Sequence, residues 1–180
     1  MAVITTVENI NIKAWREFVN KHPNGSIFLT PEMFNVYKQT PNYEPSIFVF
    51  VDSNLSVICG LLIAVRIQEK KKLIGCLTAR TIIYGGPLTN GDALVARRLL
   101  LEYDKVSNRK TIYTQVRNLF NQKNLNSIFG EVGYRFEDHL NILLDLTKYN
   151  GNIWQGYWDS RKRGIKKALK SNFTFEVSNN

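Results

Sequence analysis

Val57-Ile58-Cys59-Gly60-Leu61-Leu62-Ile63-Ala64-Val65 is a run without a charge and without alternation. Successive side chains of a strand point to opposite faces, so a strand apolar at every position must be covered on both sides. The run therefore predicts a strand inside a sheet that carries helices on both faces. It lies in the β-rich segment Ser56 to Ile67, which follows Ser46 to Val51 across Asp52-Ser53-Asn54, residues that suit a hairpin turn. The run is about half of the roughly 20 residues needed to span a bilayer.

Outward from it, the apolar spacing changes to that of helices. Ile12, Trp15, Phe18 and Val19 share one face of a helix over Asn11 to Lys21, with Asn11 as cap and His22-Pro23-Asn24-Gly25 as stop. Thr30-Pro31-Glu32 opens a second helix, with Thr30 at the N-cap and Pro31 where a missing N–H costs nothing. Met33, Phe34, Val36 and Tyr37 supply its apolar surface. Leu73 to Tyr84 reads as a strand ending at Gly85-Gly86-Pro87. Asp92 to Val106 reads as a helix with Ala93, Leu94, Ala96, Leu99, Leu100 and Tyr103 inward. Thr111 to Val116 is a strand, Leu119 to Phe129 a helix and His139 to Leu146 a strand. Ile153 to Lys170 is a long helix with Trp154, Trp158, Ile165 and Leu169 on one face, and Phe173 to Val177 a last strand. Strands grouped early and then alternating with helices predict an α/β fold with a mixed, largely antiparallel sheet flanked by helices on both faces.

The chain has 180 residues, 44% hydrophobic and 22% charged, enough for one compact domain with a real core. Cys59 and Cys76 sit in apolar strand-like runs and read as buried thiols of a reducing cytoplasm. With two histidines and no paired cysteine spacing, an imidazole or thiolate zinc site is not expected. No basic-then-apolar leader pattern opens the chain.

Charge narrows the partner. Lys plus Arg number 24 against 15 Asp plus Glu, a net charge of +9. Between Gly151 and Lys170 there are six basic residues, Arg161, Lys162, Arg163, Lys166, Lys167 and Lys170, against Asp159 alone, so this segment holds +5 of the +9. A cationic helix side is either a solvated face or a landing strip for phosphates of a nucleotide sugar, a lipid head group or RNA. Arg117-Asn118 lies past a strand's carboxyl end, where open α/β sheets place ligands, although Asn118 also suits a helix cap. His139 follows Glu137 and Asp138, but no nucleophile elbow accompanies it.

Taken in order, Ile27 to Phe34, Tyr43-Glu44-Pro45, Arg80 with Tyr84-Gly85-Gly86-Pro87-Leu88, Arg117-Asn118, His139-Leu140-Asn141 with Asp145-Leu146, and Arg163-Gly164-Ile165-Lys166-Lys167-Ala168 resemble the Fem family of peptidoglycan-bridge aminoacyltransferases. The resemblance covers roughly residues 10 to 178. It implies a domain shaped like a Gcn5-related N-acetyltransferase, with residues 1–150 as α/β core and 151–180 as a basic helix and strand leading to a second domain. It further implies a cytoplasmic acceptor-side domain for a UDP-linked or lipid-linked peptidoglycan precursor, with aminoacyl-tRNA as donor and no cofactor. Lys38 and the basic run Arg163, Lys166, Lys167 and Lys170 carry over as groups bordering a diphosphate, and Arg80, Tyr84 and Arg117 join them as substrate-binding candidates.

Acetyltransferases of this shape cradle a cofactor pyrophosphate with a Gln/Arg-x-x-Gly-x-Gly/Ala turn. Here Gly86-Pro87-Leu88-Thr89-Asn90-Gly91-Asp92 stands in that place. Pro87 lacks a donor and Asp92 adds negative charge, which argues against acetyl-CoA binding. The alternatives are an acyl-CoA-dependent N-acyltransferase of the same superfamily and a non-catalytic RNA-binding module.

Overall fold

The computed structural model describes residues 2–4, 9–52, 57–68, 78–107, 110–121, 123–140, 142, 145, 148, 152–171 and 174. It divides into two units, 1–138 and 139–180.

The first unit is built on a six-stranded sheet. Its elements are β1 (Ala2–Ile4), α1 (Ile12–Lys21), α2 (Pro31–Gln39), β2 (Tyr43–Asp52), β3 (Val57–Ile67), β4 (Arg80–Tyr84), β5 (Leu88–Thr89), α3 (Ala93–Ser107), β6 (Tyr113–Arg117) and α4 (Asn126–Glu131). The strand order is β1-β2-β3-β4-β6, with β5 also on β3. All pairings are antiparallel except β4 with β6. The sheet is mixed and largely antiparallel, as its sequence predicts.

Residues 58 and 60–65 of β3 are all buried. Ile58, Leu61, Ile63 and Val65 meet Trp15, Val19, Leu29, Phe34 and Tyr37 in one core. Leu62 and Ala64 meet Val95, Ala96, Leu99, Leu100 and Tyr103 in another. The period-2 alternation of a strand thus feeds two cores, with α1 and α2 over one face and α3 and α4 over the other. Gly60 lets α3 approach: a Cβ there would lie 2.5 Å from Val95 Cγ1 and 3.0 Å from Leu99 Cδ1.

The caps act as their residue types predict. Asn11 accepts from the N–H groups of Lys13 and Ala14 at 3.0 and 3.2 Å, and Thr30 Oγ1 accepts from Met33 N at 3.2 Å. Asp92 caps α3, its carboxylate accepting from Leu94 N at 2.8 Å and Val95 N at 3.2 Å. That cap sets the phase of α3 so that Val95 faces the sheet, whereas Leu94, expected inward, is 76% exposed. Val36, expected within the apolar surface of α2, is also exposed.

Several predicted elements are shorter. The helix expected over 119–129 is a 3-10 turn, Lys123–Leu125, followed by α4. Asparagines at 118, 121, 124 and 126 compete for backbone groups and resist a longer helix. The strand expected from Leu73 begins at Arg80, and residues 73–77, including Cys76, lie outside those described. Cys59 is half-buried and free. The turn at 53–54 also lies outside the described residues.

In the second unit, the long helix expected over 153–170 is a 3-10 turn, Ile153–Gly156, then α5 (Asp159–Leu169). Gly156 weakens a helix interior by about 1 kcal/mol and Asp159 favours a first turn, so the break falls between them. Trp158 precedes α5 in an extended conformation and is 84% exposed, not packed inward. The described residues of the two strands expected at 139–146 and 173–177 are not in strand, and their other residues lie outside the description. No helix among the described residues is long and apolar enough to cross a membrane.

Candidate active site at the split of the sheet

The two strands that pair in parallel part company at one place. β4 and β6 run in register from Arg80 opposite Tyr113 to Tyr84 opposite Arg117. The Gly85 N–H then donates to the Arg117 carbonyl at 2.8 Å. Beyond that bond the chain bulges. Ile83 is paired with Ala64 and Leu88 with Leu61, so four residues, Tyr84 to Pro87, stand opposite two, Leu62 and Ile63. Two extra residues turn the strand away from β6 while it keeps its hold on β3. Gly85 and Gly86 take φ values of 80° and 62°, which glycine adopts without strain.

A cavity of about 290 Å³ opens beside the bulge. Pro87 to Gly91 line one side, and His22, Asn24, Asn124 and Leu125 the others. His22 ties these walls together. Its Nδ1 accepts from Asn24 N at 3.0 Å, so Nε2 is the protonated nitrogen and donates to the Thr89 carbonyl at 2.9 Å.

On the α1/α2 face of the bulge four aromatic rings form a row. Phe28 stacks on Tyr84 at 5.2 Å, Tyr84 on Tyr37 at 6.1 Å, and Tyr37 on Tyr43 at 6.5 Å. The Arg117 guanidinium lies over the Tyr84 ring, 5.8 Å from its centroid. Among the described residues, Tyr37 Oη and Ser26 Oγ here find no hydrogen-bond partner. Ser26 Oγ lies 3.7 Å from where a Cβ on Gly85 would stand. Tyr37 is 4% exposed. Burial, helped by the neighbouring Tyr84 and Tyr43 phenols, pushes the Tyr37 phenol well above its ordinary range, so it stays an O–H donor.

Of the candidates read from sequence, Tyr84 and Arg117 come together, side by side on one sheet face. Arg80 shares that face but sits at the other end of β4, about 13 Å away at the rise of a strand. Lys38 is exposed in the last turn of α2, one residue past Tyr37. Arg163, Lys166, Lys167 and Lys170 are exposed on α5 or at its end, in the second unit. His139 is exposed. Sequence reasoning gave no site role to Ser26, Phe28, Tyr43 or His22, and took Tyr37 as apolar surface. Only the His22-Pro23-Asn24-Gly25 turn hinted that this loop is held in place. Among the described residues no cluster of His, Cys, Asp or Glu could hold a metal ion.

No family model matches the chain and no curated protein sequence matches it. Solved structures do. An acetyltransferase of Trypanosoma brucei superposes over 81% of this chain and 99% of its own, with a TM-score of 0.54 and 14% identity. The aminoglycoside 6'-N-acetyltransferase AAC(6')-IG of Acinetobacter haemolyticus matches over 81% and 98%, with a TM-score of 0.54 and 10% identity. A third, aminoglycoside N-acetyltransferase AAC(6')-Iy in complex with CoA, matches over 81% and 94%, with a TM-score of 0.50 and 12% identity. The chain has the fold of the Gcn5-related N-acetyltransferases.

The AAC(6')-Iy complex corrects the expectation of no cofactor: the same architecture carries CoA there. In the structure Pro87 belongs to a bulge, where no ladder bond is asked of it. Asp92 is a helix cap whose charge is partly met by two N–H groups of α3.

Proposed function

We propose that the chain is an acyl-CoA-dependent N-acyltransferase, moving an acyl group from a thioester to an amine. One observation carries the reading: the sheet splits past the Gly85–Arg117 bond, over a bulge flanked by unpartnered hydroxyls. An extended arm bearing amides suits such a cleft, because a strand edge freed from its neighbour pairs with added backbone-like groups. Pro87 to Gly91, with Asn124 across the cavity, would line the space for that arm. When bound, the cofactor supplies the acyl group as an activated thioester. The chain's own part is to orient and to manage protons. Ser26 Oγ and Tyr37 Oη hold protons at the α1/α2 face, and each would donate to a developing negative charge brought against it.

The diphosphate end would meet a different surface. Asp92 occupies the Leu94 and Val95 N–H groups that an anion would otherwise take. Acetyl-CoA titrated into the chain is expected to bind in the micromolar range, and no binding removes the reading. Asp92→Ser keeps a cap while deleting the charge, and should tighten acetyl-CoA by roughly twofold to fivefold, the size of a charge effect at a helix N-terminus. Equal affinity in the two proteins would mean that the diphosphate never nears α3.

On the acceptor side, the ordered Fem-like motifs favour an amine of a peptidoglycan precursor. A UDP-linked muropeptide offered as acceptor with acetyl-CoA would separate that reading from a small-molecule acceptor.

A further inference from the structure

Arg16, Arg66, Arg97 and Arg98 each pair with a glutamate. Arg117 is held differently. Its Nε donates to the neutral Gln115 Oε1 at 3.0 Å, its guanidinium lies against the Tyr84 ring, and its backbone carries the last bond of the parallel pair. Among the described residues no carboxylate forms an ion pair with it. The side chain is nonetheless at the surface. A guanidinium oriented by neutral partners keeps its two terminal nitrogens for a planar anion, which is the geometry of bidentate carboxylate recognition.

The Tyr84 ring lies under this cation and stacks on the Tyr37 ring, with 6.1 Å between centroids. The site thus offers an anion holder over the Tyr84 ring, at the strand end where the cleft opens. We propose that Arg117 selects the acceptor, and that the acceptor is an amine bearing a carboxylate. This rests on the N-acyltransferase reading of the same cleft, and it adds the class of substrate.

Two probes that differ only in the anionic group test it: 6-aminohexanoate and 6-aminohexanamide, each titrated into the full chain and into Arg117→Gln. The carboxylate is expected to bind the wild-type chain at least roughly tenfold more tightly than the amide, with the difference lost in Arg117→Gln. Arg117→Lys should restore part of it, because a point charge replaces a planar fork. Equal affinity for the two probes, no binding of either, or a preference that survives Arg117→Gln overturns the proposal. Acetyl-CoA titrated separately into the wild-type chain distinguishes the two failures. If it does not bind while the Arg117-dependent preference persists, acyl transfer is wrong and carboxylate recognition stands.

Discussion

Trp15→Ala is expected to destabilise the first unit by about 3–5 kcal/mol, the range for losing a buried indole. The ring is 1% exposed and meets Phe34 edge to face at 5.7 Å. Its N–H donates to the Leu29 carbonyl at 2.7 Å, and Leu29 is fully buried, so truncation also leaves that carbonyl without a partner. Trp15→Phe keeps most of the packing and should cost less, about 1–3 kcal/mol for the stranded carbonyl. The consequence reaches the cleft. Leu29 Cδ1 stands 3.4 Å from the Cβ position of Gly85, and the Ser26–Leu29 loop carries Ser26 and Phe28 to the bulge. Chemical denaturation checks this: the midpoint should fall at unchanged slope. A shift under 1 kcal/mol for the alanine variant would show that the α1 contact is not what positions the loop.

Tyr37→Phe should move stability and activity in opposite directions. The hydroxyl is buried without a partner among the described residues, and removing it deletes a desolvation penalty of about 1–3 kcal/mol while the stacked ring remains. Melting should rise by roughly 2–4 °C per kcal/mol gained in a chain of this size. Acyl transfer should fall by about a hundredfold if Oη donates to the developing charge, the lower end for a positioned acid. Scanning calorimetry and thiol release from acetyl-CoA read the two effects separately. A variant that gains stability and keeps its rate assigns the lone hydroxyl to no chemistry.

The architecture was legible because its signals are periodic. Residues 57–65 could not be a half-covered strand, and the caps at Asn11 and Thr30 mark their helices to the residue. Elements failed where local chemistry outweighed apolar spacing: the asparagines ahead of α4, and Gly156 with Asp159 ahead of α5. The site was half legible. Tyr84 and Arg117 lie at strand ends, where position alone suggests a ligand. The bulge joining them is a matter of register, fixed by pairing with β3, and register is not written in residues 84–87 by themselves. An unpartnered hydroxyl is harder still. Tyr37 reads as one more apolar residue on α2 until its neighbours are known.

The parallel β4–β6 pair has a bearing on the order of assembly. Neighbouring strands β2 and β3 can zip from a short connection, whereas β6 reaches β4 only after α3 has been laid across the sheet. Contacts between segments far apart in sequence form late, since the entropy of closing the intervening chain must be met first. The cleft past Gly85 and Arg117 comes into being with that last pairing. A folding intermediate holding only the antiparallel meander would be compact and strand-rich, yet would contain no cleft.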